Sequence, residues 1–244
     1  MLTFSPEPRA FIRAALLYLR EGVEISPQGQ ENLLFALARE DADEPQVIRR
    51  FEAAAAQERW GKALAHGELI KLLFFNIRHQ KPGWPLMIQG IQEVLARGPN
   101  YLLNGAGPGG HALIERKNAV SKEIHRLVGF TRLTPAPDGV LVGQAPAKHY
   151  TGDLVALGLA RRNPGQPLAL LTPTGNWFCL GCRLSPISGK QYQGVKDDFD
   201  TTWLEYYQSQ FIPERNNPRH AAKAIPQELW QWLAEGEIMR QNKK

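Results

Sequence analysis

The amino-acid sequence predicts an α+β protein with a helical N-terminal region, a central four-stranded and mostly antiparallel sheet, and a helical C-terminus. Three observations support this fold class. Apolar residues recur at helical spacing over residues 1–110, short apolar runs alternate with turn residues over residues 129–185, and aromatic residues return to helical spacing after residue 191. In such a fold the helices pack against the sheet, and we expect one domain over residues 1–244.

The N-terminal helices are predicted from apolar periodicity and from the residues that end each run. The first runs from Pro8, which suits a first turn, to Gly22, a common stop residue, with Phe11, Leu16 and Leu19 on one face. Further helices are predicted over residues 30–41, over 43–79 with breaks at two glycines, and over 84–100. The region 1–110 is therefore expected to be helical.

A glycine-rich stretch, NGAGPGGH, precedes the clearest amphipathic helix, which is predicted over residues 111–128. One face of this helix carries Leu113, Val120, Ile124 and Leu127. We interpret the glycine-rich stretch as a flexible connector. A phosphate-binding loop is the alternative, although neither a Gly-Lys-Ser/Thr sequence nor a preceding Val/Ile strand accompanies it.

Two hairpins with a helix between them are predicted next. Gly129 ends the preceding helix, and GFTRLTP and VLVGQA form the first hairpin around an APDG turn. YTGDLVALGLARRN is a helix, and QPLALLTP and WFCLGCRL form the second hairpin around TGN. Residues 191–244 are predicted to be helical because aromatic residues occur there at helical spacing, namely Trp203, Tyr206, Tyr207 and Phe211.

Composition and hydropathy exclude several classes of protein. The chain has 43% hydrophobic and 22% charged residues, which is ordinary for a globular protein, and no apolar stretch reaches the roughly 18–20 residues of a membrane helix. The N-terminus lacks the pattern of a signal peptide, and two cysteines are too few for a disulfide scaffold. We therefore expect a cytoplasmic protein that makes no membrane contact.

Positive charge is concentrated in the middle of the chain. Residues 111–190 contain 10 Lys/Arg and 4 Asp/Glu, whereas the segments 1–110 and 191–244 are close to neutral. A local basic excess is typical of a surface that binds a polyanion, and a solubilising surface is the alternative.

Cys179 and Cys182 form a Cys-x-x-Cys pair, which is half of a tetrahedral zinc site or a redox motif. No further cysteine could complete a zinc site, no histidine stands at a suggestive spacing, and the strand–helix context of a redox motif is missing. We expect no metal and no cofactor, with both cysteines as ordinary strand and turn residues.

Candidate functional residues lie within the basic segment. Arginine makes bidentate bonds to phosphate, and an aromatic ring such as that of Phe130 or Tyr150 stacks on an unpaired base. His125, His149 and Asp153 are candidate acid–base residues, because histidine titrates near neutral pH and Asp153 lies one helical turn after His149. A helix-terminal role is the alternative for His125. The candidate nucleic-acid contacts are Arg126, Phe130, Arg132, Lys148, His149, Arg161 and Arg162.

A polar loop near the C-terminus, ERNNPRH, supplies the last candidates, Arg215, Asn217 and Arg219. Arginine binds phosphate, and asparagine can read a base edge. A solvated connection between two helices is the alternative.

Three stretches resemble, in the same order, a bacterial family called probable DNA metabolism protein, the domain of unknown function 4130. They are KEIHRLVGFTRL, GVLVGQAPAKHYTGDLVALGLARRNPGQPLALLTPTGNWF and WLEYYQSQFIPERNNPRHAAKAIPQELWQWL. The resemblance covers about residues 119–233, and its specific parts are the His-Arg-x-x-Gly-Phe corner and the Arg-x-Asn-Pro-Arg loop. Because such proteins are usually encoded beside a radical S-adenosylmethionine protein, and are often fused to a uracil-DNA-glycosylase-like domain, the resemblance implies DNA repair or modification.

Three functions are compatible with these features. The first is a component that binds DNA, or another nucleic acid, and acts with a separate radical S-adenosylmethionine protein. The second is an enzyme acting on a modified or flipped base through its histidines. The third is a protein-interaction module whose contact surface is the aromatic helix around Trp203, Tyr206 and Tyr207.

Overall fold

The computed structural model describes residues 1–28, 40–81, 83–181 and 183–193, together with residues 204–206, 209, 210, 225, 230, 236 and 240. The chain divides into two units, Met1–Ser121 and Lys122–Lys244. The α+β class is confirmed, because both helices and mixed sheets are present. The organisation as one domain stays a prediction.

The first unit is mainly helical, as predicted. Its helices are α1 (Pro8–Glu21), α2 (Pro45–Ala56), α3 (Gly67–Ile77), α4 (Trp84–Arg97) and α5 (Pro99–Leu103), and a 3-10 helix spans Gly61–Ala65. Helix α1 ends at the predicted glycine, since Gly22 has a φ of 68° and its N–H donates to the Tyr18 carbonyl. A left-handed residue at this position favours glycine, which has no Cβ to clash.

A short parallel sheet in this unit was missed by the sequence analysis. It contains β1 (Leu2–Phe4), β2 (Ile25–Pro27) and β3 (Glu40–Asp41), in the order β2–β1–β3. The helix predicted over residues 30–41 falls largely on residues 29–39, which lie outside the described residues. Its last two residues belong to β3 instead, so the prediction is wrong there.

The core of the first unit is built on aromatic rings from the sheet and two helices. The rings of Phe4, Phe11 and Trp84 lie 5.1–5.6 Å apart between centroids, and Phe4 contacts the other two edge-on. Phe4 and Phe11 are almost fully buried. Edge-on contacts add to the stabilisation that burial of these large rings provides.

Helix α6 (Pro108–Phe130) begins in the first unit, where Arg116 fixes it to the end of α3. The Arg116 guanidinium donates to the Asn76 side-chain oxygen at 3.0 Å and to the Lys81 carbonyl at 2.7 Å. Burial lowers the pKa of Arg116, since charge is disfavoured away from water. The carbonyls around the carboxyl end of α3 partly offset this cost, because that end of a helix carries partial negative charge.

The second unit begins with a correction to the predicted helix–strand boundary. Helix α6 continues to Phe130, whereas the sequence analysis ended it at Gly129 and placed Phe130 and Arg132 in a strand. The reason is local: the Thr131 N–H donates to the Leu127 carbonyl at 2.9 Å, so helical bonding continues past the glycine. The first strand therefore starts only at Leu133.

The sheet of the second unit has five strands, not the four that were predicted. The order is β4–β5–β6–β7–β8, and the strands are β4 (Leu133–Pro135), β5 (Leu141–Gln144), β6 (Leu168–Leu171), β7 (Asn176–Leu180) and β8 (Arg183–Ile187). All neighbouring pairs are antiparallel except β5–β6. That pair is parallel because helix α7 (Gly152–Arg162) crosses over between its strands.

The extra strand arises from a turn inside WFCLGCRL. Leu180 pairs with Arg183, and Gly181 between them has a φ of 60°. A two-residue connection with glycine in the left-handed region is typical of a tight hairpin, so the predicted single strand becomes two.

Helices α6 and α7 cover one face of this sheet. Leu127 of α6 and Val155 and Leu159 of α7 pack on Leu168 and Leu170 of β6, and all five are at most 3% exposed. A smaller apolar cluster contains Val142 and Ala169 of the sheet and Tyr192 of a 3-10 helix, Lys190–Tyr192. The predicted apolar face of α6 is thus confirmed.

Little of the predicted C-terminal helical region is described. Leu204, Glu205 and Tyr206 are helical, and Trp230 is buried with its indole N–H donating to the Ile225 carbonyl at 2.9 Å. Trp203, Tyr207 and Phe211 lie outside the described residues. Among the described helices, none combines the length and the apolar character that crossing a membrane requires.

Candidate nucleic-acid interface

A carboxylate on α6 holds the turn that precedes α7. Glu123 accepts hydrogen bonds from the Lys148 N–H and the His149 N–H, each at 3.0 Å, and from the Thr151 hydroxyl at 2.9 Å. These partners fall within four consecutive residues, which we call the 148–151 turn. One side chain therefore fixes both the backbone of the turn and its distance from α6.

Further hydrogen bonds hold the 148–151 turn from the other side. The His149 carbonyl accepts from the Thr151 N–H at 2.9 Å and from the Thr174 hydroxyl at 3.2 Å. Thr151 is fully buried and His149 is 7% exposed, whereas Lys148 is exposed and Tyr150 is 57% exposed. The turn thus buries its histidine and threonine and presents a cation and an aromatic ring to solvent.

The amino end of α7 lies against an indole of the sheet. A Cβ added at Gly152 would come within 2.7 Å of Nε1 of Trp177 and 3.2 Å of the Thr172 hydroxyl. Contacts this short exclude any larger side chain at residue 152 unless the indole moves. The glycine therefore permits the close approach of helix and sheet just after the 148–151 turn.

The three acid–base candidates lie at two separate positions in the second unit. His149 and Asp153 lie at the amino end of α7, and Asp153 is half-buried. His125 is exposed on α6, two residues after Glu123. Helical residues two apart project from different faces, so His125 points away from the turn that Glu123 holds.

The carboxyl ends of α6 and α7 lie side by side. Most of the other basic residues predicted to contact nucleic acid are located there. Arg162 donates to the Val128 carbonyl at 2.8 Å, and a Cβ added at Gly158 would lie 2.7 Å from a methyl group of Val128. Arg162 thus satisfies a carbonyl of the last turn of α6, where a cation is favourable.

The other predicted contacts near this end differ in exposure. Arg132 and Arg161 are exposed, and Arg126 and Phe130 are half-buried. Within the part of the chain that the structure describes, neither Arg126 nor Arg161 forms an ion pair or a side-chain hydrogen bond. Lys148 and His149 lie at the opposite end of α7, about 16 Å away for an 11-residue helix. The predicted basic residues therefore form two groups, one at each end of α7.

The acidic residues of this region are largely occupied by the protein itself. Residues 122–193 contain eight Lys/Arg and three Asp/Glu. Glu123 is bonded to the 148–151 turn, and Asp138 accepts from the Val140 N–H at 3.1 Å and the Tyr192 hydroxyl at 3.3 Å. Two of the three acidic residues of this segment therefore accept hydrogen bonds from within it, and basic residues remain in excess there.

The glycine-rich stretch already holds an anionic group of this chain, and α6 begins inside it at Pro108 rather than at the predicted His111. Glu93 accepts from the Gly109 N–H at 3.0 Å and the Gly110 N–H at 3.2 Å, at the amino end of α6. A Cβ at Gly107 or Gly109 would lie 2.7 Å from the same carboxylate. The glycines allow this approach, and Glu93 occupies the amides that a phosphate would need.

No metal centre is evident where the structure can be described. Cys179 is buried, and its thiol lies 3.3 Å from the Gly181 carbonyl, while Cys182 is outside the described residues. No cluster of three or more His, Cys, Asp or Glu within the described ranges is placed to hold a metal ion. The loop candidates Arg215, Asn217 and Arg219 also lie outside the described residues.

Two carboxylates that hold backbone amides were not identified from the sequence, one in each unit. Glu123 and Glu93 each hold backbone amides 16 to 26 residues away along the chain. The weak signal that could have found Glu123 is the scarcity of carboxylates on α6, which carries two glutamates and four lysine or arginine residues.

The residues of this interface lie within the part of the chain that a family model matches. No curated protein and no solved structure matches the chain. The model described as Domain of unknown function (DUF4130) matches residues 82–235, which is more than half of the chain and includes α6, the 148–151 turn and the five-stranded sheet. The resemblance that the sequence analysis noted is thereby confirmed, and the chain belongs to this family.

Proposed function

We propose that the second unit binds nucleic acid as a component of DNA repair or DNA modification. The observation that carries this proposal is the charge arrangement around α7. Exposed cations stand at both ends of the helix, while Glu123 and Asp138 are bonded within the protein. A surface with an excess of basic residues attracts a polyanion, and binding releases the counterions of that polyanion.

The spacing of the two basic groups supports an extended ligand. About 16 Å separates the ends of α7, whereas a small anion contacts only one end. Phosphates repeat along a nucleic acid, so one strand supplies anionic groups for both ends. DNA as the ligand, and a separate radical S-adenosylmethionine protein as the catalytic partner, extend this proposal from the family resemblance.

Charge reversal tests the proposal at Arg126 and Arg161, the two predicted contacts whose side chains have no partner among the described residues. We expect Arg126→Glu combined with Arg161→Glu to weaken DNA binding and to flatten the dependence of log affinity on log salt, because up to two phosphate contacts are lost. Lys62→Glu is the matched control, since Lys62 is an exposed lysine of the first unit. Equal losses in the double variant and in the control would overturn the assignment to α6 and α7.

A further inference from the structure

We propose that the nucleic acid is recognised as a single strand, with the Tyr150 ring stacked on an unpaired base and Lys148 at an adjoining phosphate. This inference rests on the proposed function and adds the strand form and the contact residues. Tyr150 and Lys148 are separated by one residue, so their Cα atoms are at most about 7 Å apart. The ring and the ammonium group can therefore reach the same nucleotide or its neighbour.

The first observation that supports this inference is the exposure of Tyr150. It is 57% exposed, although its neighbours His149 and Thr151 are buried. An aromatic ring that remains in water within a basic surface offers a face to a planar partner. Phe130, the other aromatic candidate of the sequence analysis, is half-buried at the end of α6 and offers less of its ring.

The second observation that supports this inference is that hydrogen bonds hold the 148–151 turn in place. The residues on either side of Tyr150 are fixed, since the His149 N–H and the Thr151 hydroxyl both donate to Glu123 and the His149 carbonyl accepts from Thr174. A ring presented from a fixed backbone loses little further freedom when a ligand stacks on it. This differs from an exposed tyrosine on an unsupported loop.

The strand form follows from geometry. In a duplex both faces of each base are covered by its stacked neighbours, so an exposed ring has no base face to contact. In a single strand the faces are open, and stacking on an aromatic side chain tolerates any sequence. The exposed ring of Tyr150 therefore favours a single strand, or an unpaired segment, over a duplex.

Fluorescence anisotropy with the full chain tests the inference. The probes are a labelled 20-nucleotide oligo-dT and a labelled 20-base-pair duplex, each titrated at the same series of salt concentrations. The variants are Tyr150→Ala, Tyr150→Phe and Lys148→Gln. Tyr18→Ala is the matched control, because Tyr18 is a 42%-exposed tyrosine of the first unit. Thermal melting of each variant confirms that it is folded.

The inference predicts tighter binding to oligo-dT than to the duplex. Tyr150→Ala weakens oligo-dT binding by about five-fold to one-hundred-fold, Tyr150→Phe retains most of it, and Tyr18→Ala retains all of it. Lys148→Gln reduces the salt slope, whereas Tyr150→Ala leaves the slope unchanged.

Three results would overturn the inference, and they are distinguishable. The stacked single strand is refuted if the duplex binds as tightly as oligo-dT, or if Tyr150→Ala behaves like Tyr18→Ala. Salt-dependent binding in either case would still support nucleic-acid binding. Absence of binding to either probe at low salt refutes the proposed function and this inference together.

Discussion

Replacing Glu123 tests the interaction that positions the candidate interface. Glu123→Ala removes the acceptor of three hydrogen bonds, two to backbone N–H groups and one to the Thr151 hydroxyl. The Lys148 N–H is near solvent, so water replaces that bond at a loss of about 0.5 kcal/mol. The His149 N–H and the Thr151 hydroxyl are partly buried and donate to a charged carboxylate, so each of these bonds contributes about 1–1.5 kcal/mol. The expected loss in free energy of unfolding is about 3 kcal/mol.

The conservative variant refines this expectation. Glu123→Gln keeps the size of the side chain but has one oxygen and one NH₂ group in place of two acceptor oxygens. The NH₂ group faces N–H or O–H donors, so about half of the stabilisation is lost. The ordering Ala below Gln below wild type is therefore expected.

Two assays together localise the effect. Urea unfolding followed by circular dichroism gives the change in free energy of unfolding, and amide hydrogen exchange reports the protection of Lys148 and His149. Glu115→Ala is the control on the same helix, because Glu115 is about 70% exposed and its only ion pair among the described residues is with His111 at 3.4 Å. An exposed pair of this kind contributes well under 1 kcal/mol.

The reasoning is refuted by a specific result. If Glu123→Ala unfolds within about 0.5 kcal/mol of wild type, and exchange at Lys148 and His149 is unchanged, then the carboxylate does not hold the turn. An equal loss of free energy of unfolding in Glu115→Ala would show that the effect comes from any substitution in α6 and not from the hydrogen bonds to the turn.

Three further substitutions test packing and hydrogen bonding near α6 and α7. Gly152→Ala should destabilise the protein by about 1–3 kcal/mol because its Cβ meets Trp177, whereas Gly129→Ala should stabilise it by about 0.5–1 kcal/mol, since Gly129 is helical with nothing within 4 Å of an added Cβ. Urea unfolding of both variants checks the opposite signs, and the same sign in both would contradict the contact argument. Glu93→Gln should lower the free energy of unfolding by about 1–2 kcal/mol, because two amides at the start of α6 lose a carboxylate acceptor. Differential scanning calorimetry measures this change, and an unaltered melting temperature would show that the carboxylate is dispensable.

Local patterns in the sequence were sufficient for the long helices. The apolar face of α6 was predicted because Leu113, Val120 and Leu127 repeat at helical spacing, and all three are buried. The end of α1 was predicted because Gly22 has a specific conformational role at that position. Both features depend on residues within a few positions of each other.

Pairing between distant segments could not be read from the sequence. Strands β1, β2 and β3 have three, three and two residues, which is too short for an alternation pattern. The parallel pairing of β5 with β6 depends on where α7 returns the chain, and the residues of β5 carry no information about it.

The candidate site residues of the second unit stay predictions. Lys148 and His149 were proposed because basic and titratable residues precede a helix, and Asp153 because it lies one helical turn after His149. The role of Glu123 could not be inferred, since its three partners lie 25, 26 and 28 residues away. Contacts of this separation depend on how α6 packs beside α7.

Binding of the purified protein to labelled single-stranded DNA, double-stranded DNA and RNA across a salt series tests the central claim most directly. The account predicts a steep negative slope of log affinity against log salt, with the slope reduced by charge reversal at Arg126 and Arg161. Lack of binding to all three nucleic acids at low salt would contradict it, and would direct attention to small anions or a protein partner.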